Sequence, residues 1–397
     1  MVDGVAQRRI GSAGETRFDA LDGWRGLCAL MVVFLHAPIA GPIGQSGFVR
    51  HSFLFVDFFF VLSGFVIAHA WGERLWTEGN WRAFLKARFW RVYPLHLVML
   101  TAFAVFEAIR IRQGPTGVVG HAETPYSFVH NVLLTHSLGF VQNLGWNYPS
   151  WSISAEFVSY VLFAALLLWM PRRMGTILAI AVLGGLLFLL VRLGHIEAHV
   201  DYGWLRCLAG FSLGALLRLR VWNALRCDVR SDLASQWTLV EIGTVAYVIA
   251  FVALFGTSPI SVAAPFVFAV AIFVFAHEGG ALSRLLKTRP AAILGLLSYS
   301  IYMTHAFVIA RVTNVGTLLE RRLGWDIFVG PAPDSRLLAD SLGRELLALG
   351  LIVGGTLVLS AVTWRLVEKP GQAWGRSLAR RETQRAAKAR IGKARRI

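Results

Sequence analysis

The sequence is poor in charge. Only 16% of its 397 residues are Asp, Glu, Lys or Arg, while 56% are hydrophobic. Soluble domains carry roughly 25% charged residues. So much apolar side chain exceeds what one soluble core can bury, and a membrane protein is the natural reading. Cysteine is also scarce. Cys28, Cys207 and Cys227 fit neither a zinc spacing nor a disulfide framework. The eleven histidines are scattered, so no metal site is expected. No internal repeat is visible, which weakens a transporter built from paired halves. No soluble catalytic domain is expected at either end. A cleavable signal peptide is not expected, because the N-terminal stretch is polar and the first apolar run lacks a small-residue cleavage site. The net charge is +16, but its basic residues are dispersed between apolar runs. That dispersal rejects nucleic acid as a partner.

What is present is a series of long apolar runs. A hydrocarbon core about 30 Å thick needs roughly 20 apolar residues per helix. Ten candidate spans lie near 26–45, 53–71, 92–109, 150–170, 175–192, 204–217, 236–255, 260–277, 291–310 and 345–364. The stretch 127–140, SFVHNVLLTHSLGF, is apolar but short, and reads as a surface or re-entrant helix. Basic clusters alternate between these runs: Arg8, Arg9 and Arg17, then Arg82, Lys86, Arg88 and Arg91, then Arg218, Arg220, Arg226 and Arg230. The positive-inside rule then places both termini in the cytoplasm with an even number of spans. The expected fold is an all-α integral membrane bundle of about ten helices in a bacterial plasma membrane. It divides into an N-terminal tail (1–20), a membrane domain (21–370) and a basic C-terminal tail (371–397). The tail reads as a solvated arm attracted to anionic lipid. Gly210 and Gly214, four apart, read as a close helix contact.

Ionisable residues inside apolar runs are costly and therefore informative. In LDGWRGLCALMVVFLHA, Arg25 and His36 stand eleven positions apart. At 3.6 residues per turn they share one helical face, roughly 16 Å apart along the axis. One helix thus presents a cation at the inner surface and an imidazole near mid-membrane. That arrangement suits a coenzyme A thioester whose nucleotide stays near the cytoplasm while its acyl end reaches the histidine. The ordinary alternatives are a positive-inside anchor for Arg25 and a packing role for His36.

Further polar positions follow. Asp57, in FLFVDFFFVLSGFVIAHAW, needs a partner if buried, either a histidine or a loop; Ser63 and Gly64 beside it read as helix packing. Arg88 and Arg91 lie three apart in FLKARFWRVYPLHL, on one face, and their forked donors can grip phosphates. Pro94 suits the first turn of the third helix. Glu156 in NYPSWSISAEFVSYVLF enters an apolar helix, a position that demands a polar cavity. Tyr299, Tyr302 and His305, in LLSYSIYMTHAFVI, follow one helical stripe; Tyr302 and His305 are read as lining the same cavity as His36, the ordinary alternative being a polar stripe satisfied between helices.

These motifs, with VEKP at 367–370 and in this order, resemble the acyltransferase-3 family of integral membrane O-acyltransferases. The resemblance implies a ten- or eleven-helix fold, an acyl-CoA donor at the cytoplasmic face and a glycan or glycolipid acceptor. It carries the family's Arg–His pair onto Arg25 and His36, its paired arginines onto Arg88 and Arg91, and its glutamate onto Glu156. The family often has two acidic residues where this chain has Ala155 before Glu156. Some relatives add a hydrolase-like domain on the outer side; this chain is expected to complete transfer in the membrane or through another protein.

Acyl transfer to an alcohol needs a base for the hydroxyl and stabilisation of an oxyanion. The expectation is that His36 and Glu156 are catalytic. Arg25, Arg88 and Arg91 hold the phosphates of acyl-CoA, with acetyl the expected acyl group. Asp57, Tyr302 and His305 contact substrate. The rival from another class is a multi-pass transporter or flippase that relays protons through the same buried groups.

Overall fold

The computed structural model describes residues 17–78, 80–112, 123–227, 233–329, 337–338 and 341–394. Arg8, Arg9 and Arg230, counted above as inner-side charges, lie outside the described residues. The chain is almost wholly helical: α1 (Asp19–His36), α2 (Phe55–Glu78), α3 (Trp81–Arg112), α4 (Pro125–Val132), α5 (Trp151–Trp169), α6 (Met174–Leu193) and α7 (Gly203–Leu216) form the first part. There follow α8 (Ala234–Phe255), α9 (Ala264–Ala276), α10 (Ala281–Leu286), α11 (Arg289–Leu323), α12 (Leu342–Thr363) and α13 (Lys369–Ala394). A two-stranded antiparallel ribbon pairs β1 (Phe328–Val329) with β2 (Leu337–Leu338).

Eight helical stretches among the described residues are long and apolar enough to cross a membrane. The expected span 204–217 is helical as α7, but 26–45 is helical only as far as His36, where α1 ends and Ala37, ahead of Pro38, turns extended. Neither is among the eight; the first turns of α1 carry Asp19, Asp22 and Arg25. Two helices run well past their expected bounds. α3 starts at Trp81, so Pro94 sits inside it rather than in its first turn. A proline there removes one backbone donor and crowds the preceding turn. Gly371 of α13 packs directly on that point: a methyl group added to it would lie 3.0 Å from both Pro94 Cγ and the Trp90 carbonyl oxygen. α11 continues to Leu323, where Gly324 ends it in the left-handed conformation at φ +69°.

Helix pairing follows the small residues. α1 lies along α11, and α2 along α7. A methyl group on Gly214 would strike the Val61 carbonyl oxygen, and one on Gly295 would strike that of Asp22. In lipid there is little hydrophobic drive between helices, so such close approach supplies the packing. Phe58, Phe65, Phe268 and Phe275 fill the space between α1, α2 and α9.

The stretch 127–140 is helical only as far as Val132. Thr124 and Ser127 form a capping box and Pro125 opens the helix. Beyond it the chain turns at Leu134, with φ 54°, and is tied to its neighbours rather than lying free. Tyr93 Oη donates to the Val132 carbonyl oxygen at 3.1 Å, and Ser154 Oγ to that of Leu134 at 2.7 Å. The C-terminal tail also differs from a solvated arm. α13 packs along α3, where Lys86 pairs with Glu382 at 2.5 Å and Asn80 Nδ2 donates to Thr383 Oγ1 at 2.6 Å.

Candidate active site

A cavity of about 500 Å³ opens between α1, α2, α3, α5, α11 and the junction of α12 with α13. Each wall is polar where its helix is otherwise apolar. α1 contributes Asp22 and Arg25, α2 Ser63, α3 Arg88 and Arg91, α5 Ser152, Glu156 and Tyr160, and α11 Tyr299 and Tyr302. Four arginines, counting Arg17, meet three carboxylates, Asp22, Glu156 and Glu368. Arg25, Arg88, Arg91, Glu156 and Tyr302 thus border one space.

The arginines are not equivalent. Asp22 accepts from Arg25 at 3.2 Å and from Arg17 at 2.6 Å. Arg88 Nε is buried without a hydrogen-bond partner among the described residues, beside Tyr160 in the cavity lining. Such an orphaned charged donor costs stability and is a ready partner for an anion. Glu156 accepts from Ser63 Oγ at 2.5 Å, and the Ser63 and Tyr160 hydroxyls lie 3.2 Å apart. Glu368 accepts from Ser300 Oγ at 2.6 Å and from Gln372 Nε2 at 2.9 Å.

Phe59 and Tyr302, whose rings are 6.1 Å apart, both line the cavity. The Tyr302 hydroxyl donates to the Pro149 carbonyl oxygen at 3.0 Å and accepts from Ser152 Oγ at 2.9 Å. Behind this wall lies an imidazole pair. His305 is 5.9 Å from the Tyr302 ring and stacks on His36 at 5.0 Å, with His305 Nε2 and His36 Nδ1 3.0 Å apart. His36 is the last residue of α1 and is half-buried, with the edge of Tyr148 4.9 Å from its ring. Neither histidine lines the cavity; of the residues read as sharing a cavity with His36, Tyr302 lines this one and His305 packs behind it.

Asp57 lies elsewhere. Its carboxylate is fully buried and held by Arg206 through Nε at 3.0 Å and Nη2 at 2.7 Å. Arg206 also donates to the Phe53 carbonyl oxygen at 3.2 Å and lies over the rings of Phe53 and Trp151. Both carboxylate oxygens are thus occupied within the protein, and Asp57 is outside the cavity. Ser63, read as packing, lines it, whereas Gly64 beside it does pack, against the Phe211 backbone. Tyr148 and Gln372 had no signal beyond their neighbours; Glu368 had one, a carboxylate at the end of an apolar run.

Residues 18–365 match the profile of an acyltransferase domain. The peptidoglycan O-acetyltransferase OatA of Listeria monocytogenes is 24% identical over 323 residues, covering 75% of this chain and 50% of its own. YrhL of Bacillus subtilis is 25% identical over 390 residues, covering 91% and 56%. The acyltransferase MdmB of Streptomyces mycarofaciens is 36% identical over 111 residues, covering 27% and 26%. The chain therefore spans between about a quarter and just over half the length of these relatives. No solved structure matches it. With most of its length matched by that one domain, from Phe18 to Arg365, the chain belongs to the acyltransferase-3 family.

Proposed function

We propose that this protein is a membrane O-acyltransferase that moves an acyl group, acetyl first among candidates, from acyl-CoA on the cytoplasmic side to a hydroxyl of a glycan or glycolipid. The observation that carries this reading is a cavity lined by arginines and by Tyr302, whose ring lies 5.9 Å from His305 of the His36–His305 pair. Arg25, Arg88 and Arg91 are suited to the donor's phosphates, Arg88 most clearly through its unpartnered Nε. Similarity to OatA, a peptidoglycan O-acetyltransferase, favours acetyl and a glycan. The plasma membrane of a bacterium is the location this reading requires.

In the proposed reaction His36 takes the proton from the acceptor hydroxyl as its oxygen attacks the thioester carbonyl. The tetrahedral oxyanion collapses, the carbon–sulfur bond breaks, and the proton passes from His36 to the departing thiolate. Ester and free coenzyme A are the products. Reacting atoms must approach to about 3–3.5 Å, so Tyr302 has to swing aside to let the thioester through. Glu156, anchored by Ser63, serves to orient the acceptor or support the developing charge.

The test is transfer of labelled acetyl from acetyl-CoA to a cell-envelope extract by the full chain in detergent. No gradient exists there, so transport alone yields no labelled product. General-base removal in His36→Ala is expected to slow transfer by about 10²–10⁴-fold. Normal transfer by a folded His36→Ala protein refutes the assignment.

A further inference from the structure

The hydrogen positions of the imidazole pair follow from what surrounds it. His36 Nδ1 lies 2.9 Å from the Val32 carbonyl oxygen, and His305 Nδ1 lies 3.3 Å from that of Ile301. A carbonyl oxygen can only accept, so each Nδ1 carries the hydrogen. His305 Nε2 is then a bare lone pair 3.0 Å from the His36 Nδ1–H, which is shared between it and Val32. The reverse tautomer would set two nitrogen lone pairs against carbonyl oxygens. His36 Nε2 is left with its lone pair and with no hydrogen-bond partner among the described residues.

We infer that His305 is a positioning residue that holds His36 in the Nδ1–H tautomer and aims the free Nε2 at the acceptor, an inference that rests on His36 being the base. When Nε2 takes the hydroxyl proton, charge spreads over the ring and the Nδ1–H to His305 contact becomes charge-assisted. The second imidazole stands where a carboxylate stands in a Ser-His-Asp triad. A neutral acceptor suits this site, because a further buried charge would need its own partner. His305 is fully buried on α11, among Ile301, Met303 and Ala306. The titratable groups facing the pair are Tyr148 against His36, Tyr302 against His305, and His199, which the charge of His36 reaches.

The experiment measures labelled acetyl transfer by the full chain in detergent, varying acetyl-CoA and pH, with unfolding temperature with and without coenzyme A as the folding control. His305→Ala is expected to lower kcat by about ten- to a hundredfold, the worth of a charge-assisted hydrogen bond, with the KM for acetyl-CoA unchanged. His305→Gln places an amide oxygen where Nε2 was. It is expected to recover most of the loss, with a pH–rate profile displaced from wild type because an amide does not titrate. Wild-type kcat in His305→Ala overturns the inference. So does a His305→Gln protein as slow as His305→Ala when both keep the coenzyme A response. If wild type transfers no label, or His36→Ala transfers at full rate, the active-site reading itself fails. If His36→Ala is inactive while His305→Ala is normal, only the pairing fails.

Discussion

Replacing Arg88 by methionine separates donor binding from the stability of the ligand-free protein. Arg88 lines the cavity, and its Nε is buried with no hydrogen-bond partner among the described residues. An unmade hydrogen bond at a buried polar group costs about 1–3 kcal/mol, more for a charged one. Methionine fills a similar volume without that cost, so Arg88→Met should unfold at the same temperature as wild type or higher. Binding should move the other way. A charge-assisted hydrogen bond to a phosphate contributes about 1.5–3 kcal/mol, and each 1.4 kcal/mol is tenfold in Kd. The variant should therefore bind coenzyme A about 10–150-fold more weakly. Thermal unfolding in detergent with and without coenzyme A reads both effects. At a ligand concentration of 100 Kd, wild type gains about 2.7 kcal/mol. A variant bound a hundredfold more weakly gains only about 0.4 kcal/mol at that same concentration. An equal coenzyme A response in the two proteins, or a marked loss of stability in the ligand-free variant, would refute the reasoning.

Asp57→Ala should strand Arg206 as an unpaired buried charge at a cost of about 3–5 kcal/mol, seen as a lower unfolding temperature, with much of the loss recovered in an Asp57→Leu, Arg206→Met double variant. Unchanged stability with a raised KM for acceptor would instead make Asp57 a substrate contact. Glu156→Gln retains an oxygen for Ser63 but removes the charge; it should keep its coenzyme A response while turnover falls on the order of 10²-fold, the lower range for acid–base help. A variant as fast as wild type would leave Glu156 a purely structural anchor for Ser63.

The cavity was legible where the sequence placed an expensive group in an apolar run. Arg25, Arg88, Arg91, Glu156 and Tyr302 stand out for that reason, and the helical period assigned each to a face. Partnership across helices is a different matter. Asp57 demanded a partner, but nothing in its own neighbourhood points to Arg206, 149 positions away. Ser63 escaped because a serine in a membrane helix packs as well as it hydrogen-bonds; only the approach of Glu156 distinguishes the two. Helix ends were misplaced where the chain stays helical beyond the apolar run, as in α3 before Val92 and α11 after Ala310. Apolarity marks the stretch that lipid covers, while backbone hydrogen bonding continues past it. The segment 133–147 is held by side chains of α3 and α5, His96 stacking on His136 and Ser154 donating to the Leu134 carbonyl oxygen, contacts that no local period encodes.

Glu368 and Gln372 line the arginine cavity from just beyond the stretch that matches the family domain, which closes at residue 365. Gly371 and Gly375 of the same short run seat α13 against α3 beside the turn that carries Arg88 and Arg91. A minimal version of the enzyme trimmed to the domain boundary would therefore lose part of a chamber wall and the brace behind its anion grip, so the region past the boundary is working architecture rather than appendage.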